Sequence, residues 1–195
     1  ADLTSKDDVS ALASHCRETG VDLLVNCAGG AFDSSSVLEG DPEIWRKSYE
    51  VNVIATLRVT QALTPLMKAA GKGHIVIVTS TAGHRAYENG GSYVAAKFAE
   101  TSVAHTLRLE LNGQPIRITE IAPGMVKTDE FAINRFEGDS AKAAKVYEGV
   151  DAPLTAEDVA ESIRWSVSLP DHFNVDSMVI RPLAQAANHK VHRSK

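Results

Sequence analysis

The stretch His74-Ile75-Val76-Ile77-Val78-Thr79-Ser80 decides the fold. It is apolar and β-branched without alternation, the pattern of a strand buried on both faces. Downstream, a loop with Gly83, Asn89, Gly90 and Gly91 leads into a helical pattern over 92–112, closed by Asn112-Gly113. A second strand, Ile116-Arg117-Ile118-Thr119-Glu120-Ile121, stops at Pro123-Gly124. A segment of mixed polarity covers 125–153. Thr155-Ala156-Glu157-Asp158 then caps a helix through Leu169, and Val175–Ile180 is the last strand.

Upstream, the pattern over 51–70 predicts a long helix, with Pro65 marking a bend and Gly71 and Gly73 stopping it. Asp41-Pro42-Glu43 opens another helix, with proline in its first turn. Residues 21–26 form a short, nearly continuous apolar run that reads as a strand covered on both sides; Gly29-Gly30 breaks it. Residues 6–19 read as an amphipathic helix, capped by Thr4 or Ser5 and ended by Gly20. Strands separated by helices imply a doubly wound α/β fold with a parallel sheet. Ligands of such folds sit beyond the carboxyl ends of the strands. Attention therefore falls on Asn26–Gly30, Thr79–Gly83 and Pro123–Thr128.

The chain has 195 residues, 44% hydrophobic and 23% charged, which suits one globular domain. A net charge of −5 argues against nucleic-acid binding as its main work. No apolar run approaches the roughly 20 residues of a membrane span. Two cysteines, Cys16 and Cys27, exclude a disulfide scaffold and a cysteine-based zinc site. His84, His105, His172, His189 and His192 show no metal-ligand spacing, so no metal is expected. No secretory signal is visible, and a cytoplasmic location is the default expectation.

The chemistry lies in Ser80, Tyr93 and Lys97. Tyr93 and Lys97 are one turn apart on a helix and share a face. A tyrosine with an ordinary pKa near 10 is a poor base at pH 7. A neighbouring cation favours its phenolate. A serine hydroxyl after the preceding strand can hold a substrate oxygen beside the pair, giving a proton-transfer device for a carbonyl or alcohol. Each residue alone reads equally well as a turn serine, a packed tyrosine or a solvated lysine. Asn52 stands out as a poor helix former amid Val51, Val53 and Ile54.

Together, Ser80, Tyr93-Val94-Ala95-Ala96-Lys97, Asn26-Cys27-Ala28-Gly29, Asn52 and Pro123-Gly124-Met125-Val126-Lys127-Thr128 resemble the classical short-chain dehydrogenase/reductases over the whole chain. The resemblance implies a Rossmann-like fold and a nicotinamide cofactor. It implies that Tyr93 is the general acid/base and that Lys97 serves both Tyr93 and the nicotinamide ribose. Ser80 would hold the substrate oxygen, and Asn52 would complete a water-linked relay to Lys97. Asn26, Ala28 and Gly29 would stabilise the central sheet and flank the adenosine part of the cofactor, with Cys27 standing where the family usually has asparagine. Asp2 would contact adenine; Pro123, Gly124, Val126 and Thr128 would line the nicotinamide.

The family's glycine-rich phosphate turn and first strands have no counterpart in this sequence. The natural protein is therefore expected to carry ~50–60 further residues before Ala1. Cofactor binding by a chain truly starting there is expected to be weak, and the apolar strand at 21–26 to present an open edge.

Arg135-Phe136-Glu137-Gly138-Asp139, Leu154 through Ala160, Gly83 through Gly91 and Val191-His192-Arg193 resemble one bacterial branch, the NADP-dependent 3-hydroxy acid dehydrogenases acting on serine and allo-threonine. That likeness implies NADP, with NAD the alternative. A hydroxy acid needs a cation for its carboxylate; Arg135 is the first candidate and Arg85 the second. The segment 125–153 would be a substrate lid, and the polar tail would pack on another subunit of a homo-dimer or tetramer. The rival readings are a reductase of another carbonyl, such as a 3-oxoacyl thioester, and a catalytically silent cofactor sensor or scaffold. A hydrolase using Ser80 lacks the glycine-flanked nucleophile turn.

Overall fold

The computed structural model describes residues 1–128 and 130–194. Its centre is a four-stranded parallel sheet in the order β1 (Leu23–Asn26), β2 (Gly73–Val78), β3 (Ile116–Pro123), β4 (Ser177–Ile180). Helices cover both faces, as the alternation of elements predicts. On one face α3 (Ala55–Ala70) and α4 (Gly91–Glu110) seal Ile75, Ile77, Ile116 and Ile118 under Met67, Ala104 and Leu111. Outside them, α1 (Lys6–Thr19) lays Val9 and Ala13 on Val59 and Leu63 of α3. On the other face α7 (Ala156–Val167) packs beside Arg117, whose guanidinium donates to the carbonyls of Ser166 and Val167 at its end.

Two readings of the sequence are corrected. The helix expected over 51–70 is the second half of a longer rod. It begins as α2 (Pro42–Tyr49), passes through a π-turn at Glu50–Ile54 and continues as α3. Pro65 sits inside α3 without ending it. The strand at 21–26 is shorter, and it is the open edge expected of it rather than a strand covered on both sides. β1 lies at the sheet's edge, and Leu23 and Val25, which share the face of His74 and Val76, are exposed. The segment 125–153, expected as a lid of mixed polarity, folds two short helices, α5 (Phe131–Arg135) and α6 (Ser140–Tyr147).

The tail turns back as the antiparallel pair β5 (Gln185–Ala187) and β6 (Lys190–Val191). Arg193 then donates to the carbonyls of Val146 and Glu148, and Ser194 N–H to that of Gly149. Within this chain the tail therefore docks on the end of α6.

His74 gives the fold a pH dependence. Its ring is buried on β2 and bonds Thr119 Oγ1 through Nε2 at 2.8 Å, while Nδ1 has no partner among the described residues. Burial, with Arg117 beside it, pushes its pKa down from 6.5 to about 4. The unfolded chain thus binds the proton first, and stability falls as pH drops from 6.5 towards 4. The loss expected between pH 7 and pH 5 is on the order of 2 kcal/mol. Denaturant titrations of the wild type and His74→Asn should show that loss only in the wild type; an equal loss in both would remove His74 as its source.

Candidate active site

The candidate site forms where the carboxyl ends of β1, β2 and β3 meet the first turns of α4. Strand β2 ends at Val78, and Ser80 caps a 3-10 turn at Thr81–Gly83, its Oγ accepting from Ala82 N–H at 3.1 Å and donating to the Pro123 carbonyl at 3.4 Å. That turn lies directly on α4. A Cβ on Gly83 would come within 2.6 Å of the Lys97 carbonyl oxygen and 2.5 Å of Thr101 Oγ1. Only glycine permits this approach, and the approach fixes Ser80 relative to Lys97.

Tyr93 and Lys97 both lie on the buried face of α4. Lys97 Nζ is 5.8 Å from the centre of the Tyr93 ring, and Phe131 of α5 meets that ring edge-on at 5.4 Å. The ammonium donates to the Val78 carbonyl at 3.1 Å and to Glu100 Oε2 at 2.5 Å. Burial disfavours the charge on Lys97, but the Glu100 carboxylate outweighs it and raises the pKa.

Asn52 projects from the π-turn, an element often found at functional sites because its extra residue re-aims a side chain. Its Oδ1 accepts from Gly30 N–H at 3.0 Å, and its Nδ2 donates to the carbonyls of Gly30 at 3.0 Å and Ser48 at 2.8 Å. The amide therefore clamps the 27–30 loop, a fixed structural duty beyond the relay role expected of it. Gly29 closes the junction. A Cβ there would stand 2.5 Å from Asn52 Oδ1 and 3.6 Å from Lys97 Nζ. Asn26, buried at the end of β1, donates to Thr60 Oγ1 of α3, while Cys27 and Ala28 are exposed.

The other expected residues separate into groups. Pro123 and Gly124 stand at the end of β3, where Gly124 lies against Gln185; Val126 pairs with Leu154, and its carbonyl accepts from the Tyr147 hydroxyl. Thr128 is half-buried nearby. Arg135, one turn beyond Phe131, lies over the Tyr87 ring at 5.4 Å and donates to the Asn89 carbonyl at 3.0 Å. Arg85 is exposed. Asp2 Oδ1 accepts from both the backbone N–H and the hydroxyl of Thr4, closing the turn before α1. Sequence reading overlooked Glu100, Glu120, Tyr87 and Phe131. Glu100 had a signal, since it stands three residues after Lys97 and so on the same helical face.

Glu120 is the largest omission. It is fully buried in β3 and accepts from Thr79 Oγ1 (2.7 Å), Thr101 Oγ1 (2.8 Å), His84 Nε2 (2.9 Å), Ser177 Oγ (2.7 Å) and His105 Nε2 (3.3 Å). One carboxylate thereby joins the end of β2, the turn after Ser80, α4 and β4.

The family model for short chain dehydrogenases matches residues 1–137. An uncharacterized oxidoreductase of Mycobacterium tuberculosis is 49% identical over 151 residues, covering 77% of this chain. The chain spans 59% of that relative's length. The NADP-dependent 3-hydroxy acid dehydrogenase of Salmonella typhimurium is 37% identical over 175 residues, 89% of this chain and 70% of that protein. Among solved structures, the closed form of a serine dehydrogenase complexed with NADP+ superposes with a TM-score of 0.91 at 33% identity, covering 99% of this chain and 79% of that one. With the parallel sheet, the Ser80, Tyr93 and Lys97 arrangement and these matches in agreement, the chain belongs to the short-chain dehydrogenase family.

Proposed function

We propose that the protein is an NADP-dependent oxidoreductase that interconverts an alcohol and a carbonyl, with 3-hydroxy acids as its substrate class and Tyr93 as the general acid/base. The observation that carries the reaction type is the buried Tyr93–Lys97 pair, with Ser80 fixed beside it through Gly83. The residues present fit the nicotinamide end of the cofactor. Lys97 spends two of its three N–H donors on Val78 and Glu100, which leaves one for a ribose hydroxyl. Pro123, Gly124, Val126 and Thr128 would flank that end, and Asn26, Ala28 and Gly29 the adenosine part. When bound, the cofactor would supply a hydride to the substrate carbon as NADPH or accept one from it as NADP+.

The chain's own residues do the rest. Ser80 donates a hydrogen bond to the substrate oxygen, exchanging its long bond to the Pro123 carbonyl for a better one. Tyr93 gives a proton to that oxygen in reduction and takes it in oxidation. Lys97 stabilises the phenolate form across the face of the ring. Asn52 holds the Gly30 peptide, and with it the loop on which the cofactor would lie.

Arg135 supports the acid substrate. It shares the inner face of α5 with Phe131, which touches Tyr93, and its Nε is buried without a partner among the described residues. A guanidinium braced on Tyr87 and Asn89 keeps N–H donors for a carboxylate. Exposed Arg85 has no comparable bracing among the described residues. Arg135→Ala is expected to raise KM for 3-hydroxy acids at least about tenfold, the scale of one charge-assisted hydrogen bond, while sparing neutral secondary alcohols. Steady-state kinetics on both substrate types checks this, and an equal rise for both would remove the carboxylate role.

A further inference from the structure

Glu100 is a buried acid that the reaction as described does not use. Only 1% of it is exposed, yet it lies on the same face of α4 as Lys97 and Tyr93. Its Oε2 is 2.5 Å from Lys97 Nζ, and its Oε1 accepts from Thr56 Oγ1 of α3 at 3.3 Å. An aliphatic side chain would suffice to fill this space between α3 and α4. A carboxylate here has an electrostatic consequence, because it opposes the very charge by which Lys97 acts on Tyr93.

We propose that Glu100 is a positioning residue for the Tyr93–Lys97 pair, holding the ammonium in place against Val78 and α4 while offsetting part of its charge, and thereby setting the pH at which Tyr93 exchanges its proton with substrate. This rests on reading Tyr93 as the acid/base. Other ionisable groups also surround the pair; Tyr87, beneath Arg135, faces Tyr93 from the loop before α4. Tyr93 faces Lys97 from the same helix, and Cys27 reaches it from the loop after β1. Glu120 acts on Glu100 from β3 and carries its own partners His84 and His105. Of these, Glu100 alone bonds the ammonium directly.

Glu100 and Tyr93 are seven residues apart, about 10 Å along a helix. At an effective dielectric near 20, one charge at that distance moves a proton equilibrium by about one pH unit. Glu100→Gln keeps the shape and an acceptor for Lys97 but removes the charge. The midpoint of the Tyr93-dependent limb of kcat/KM should move about one unit to lower pH, in whichever direction the reaction is run. Glu100→Asp should restore it to within about 0.3 unit. Thr56→Val strips the carboxylate of its hydroxyl donor, leaves its charge more fully on Lys97, and should move the limb upward.

A second readout needs neither cofactor nor turnover. In protein labelled with 13Cζ-tyrosine, four signals are expected, and the one missing in Tyr93→Phe is Tyr93. Its titration midpoint should move down in Glu100→Gln. An unmoved or raised midpoint in Glu100→Gln, with Tyr93→Phe inactive, overturns the role of Glu100 and leaves the acid/base reading standing. Activity surviving in Tyr93→Phe overturns that reading instead, and with it the proposal. Should Glu100→Gln fail to fold, Thr56→Val decides by the sign of its shift, and an unmoved midpoint there counts against Glu100.

Discussion

Tyr93→Phe is expected to lower kcat/KM by about 10²–10⁴-fold, the range attributed to a positioned general acid or base, while leaving stability within about 0.5 kcal/mol. The two halves of this expectation come from different observations. The loss follows from removing the hydroxyl that exchanges a proton with substrate. The unchanged stability follows from packing. The Tyr93 hydroxyl makes no hydrogen bond within the chain among the described residues, so phenylalanine orphans no buried group. The ring keeps its edge contact with Phe131 and its place beneath Lys97. Substituting Lys97 would be a poorer test. It would strand the Glu100 carboxylate in a dry site, and removing one partner of a buried pair typically costs about 3–5 kcal/mol. Kinetics and thermal melting on the same Tyr93→Phe sample separate chemistry from fold. Activity near that of the wild type would overturn the mechanism.

Much of this was legible in the sequence, for identifiable reasons. The uninterrupted β-branched run at 75–79 could only be a central strand, and β2 lies between β1 and β3. Tyr93 and Lys97 were paired correctly because helical periodicity fixes a common face without knowledge of any neighbour. What was missed or misread lies where a residue's environment depends on distant segments. The exposure of Leu23 and Val25 depends on what covers β1, which a local apolar run does not encode. The π-turn at 50–54 inserts a residue into an otherwise regular pattern, so the break between α2 and α3 left no glycine or proline to mark it. Arg193 found its partners at 146–148, some 45 positions earlier, where no local pattern reaches. Glu120 was passed over for the same reason: its meaning is the sum of donors drawn from four separate elements.

That convergence makes Glu120→Ala the substitution with the largest expected effect on the fold, a destabilisation of about 3–5 kcal/mol. Truncation opens a cavity under the sheet's end and withdraws the acceptor from three hydroxyls and two imidazoles at once. Glu120→Gln divides the effect into charge and shape. Burial pushes the Glu120 pKa up, but hydrogen bonds from Ser177, Thr79, Thr101 and His84 more than reverse this and bring it to about 2, from 4.5. The folded pKa is thus depressed. The carboxylate's contribution, about 3 kcal/mol, is complete above the unfolded value and disappears as pH falls from 4.5 through 2. This window lies below that of His74, so the two are separable in one series of denaturant titrations from pH 7 to pH 2. The wild type should lose stability in two stages, His74→Asn should lack the upper one, and Glu120→Gln the lower. Because Glu120 bonds Thr79 next to Ser80, and Thr101 one turn beyond Lys97, its loss should also lower kcat at pH 7, where the charge variant still folds. A Glu120→Gln protein with wild-type acid stability would mean that the hydroxyls, and not the charge, hold the end of the sheet together.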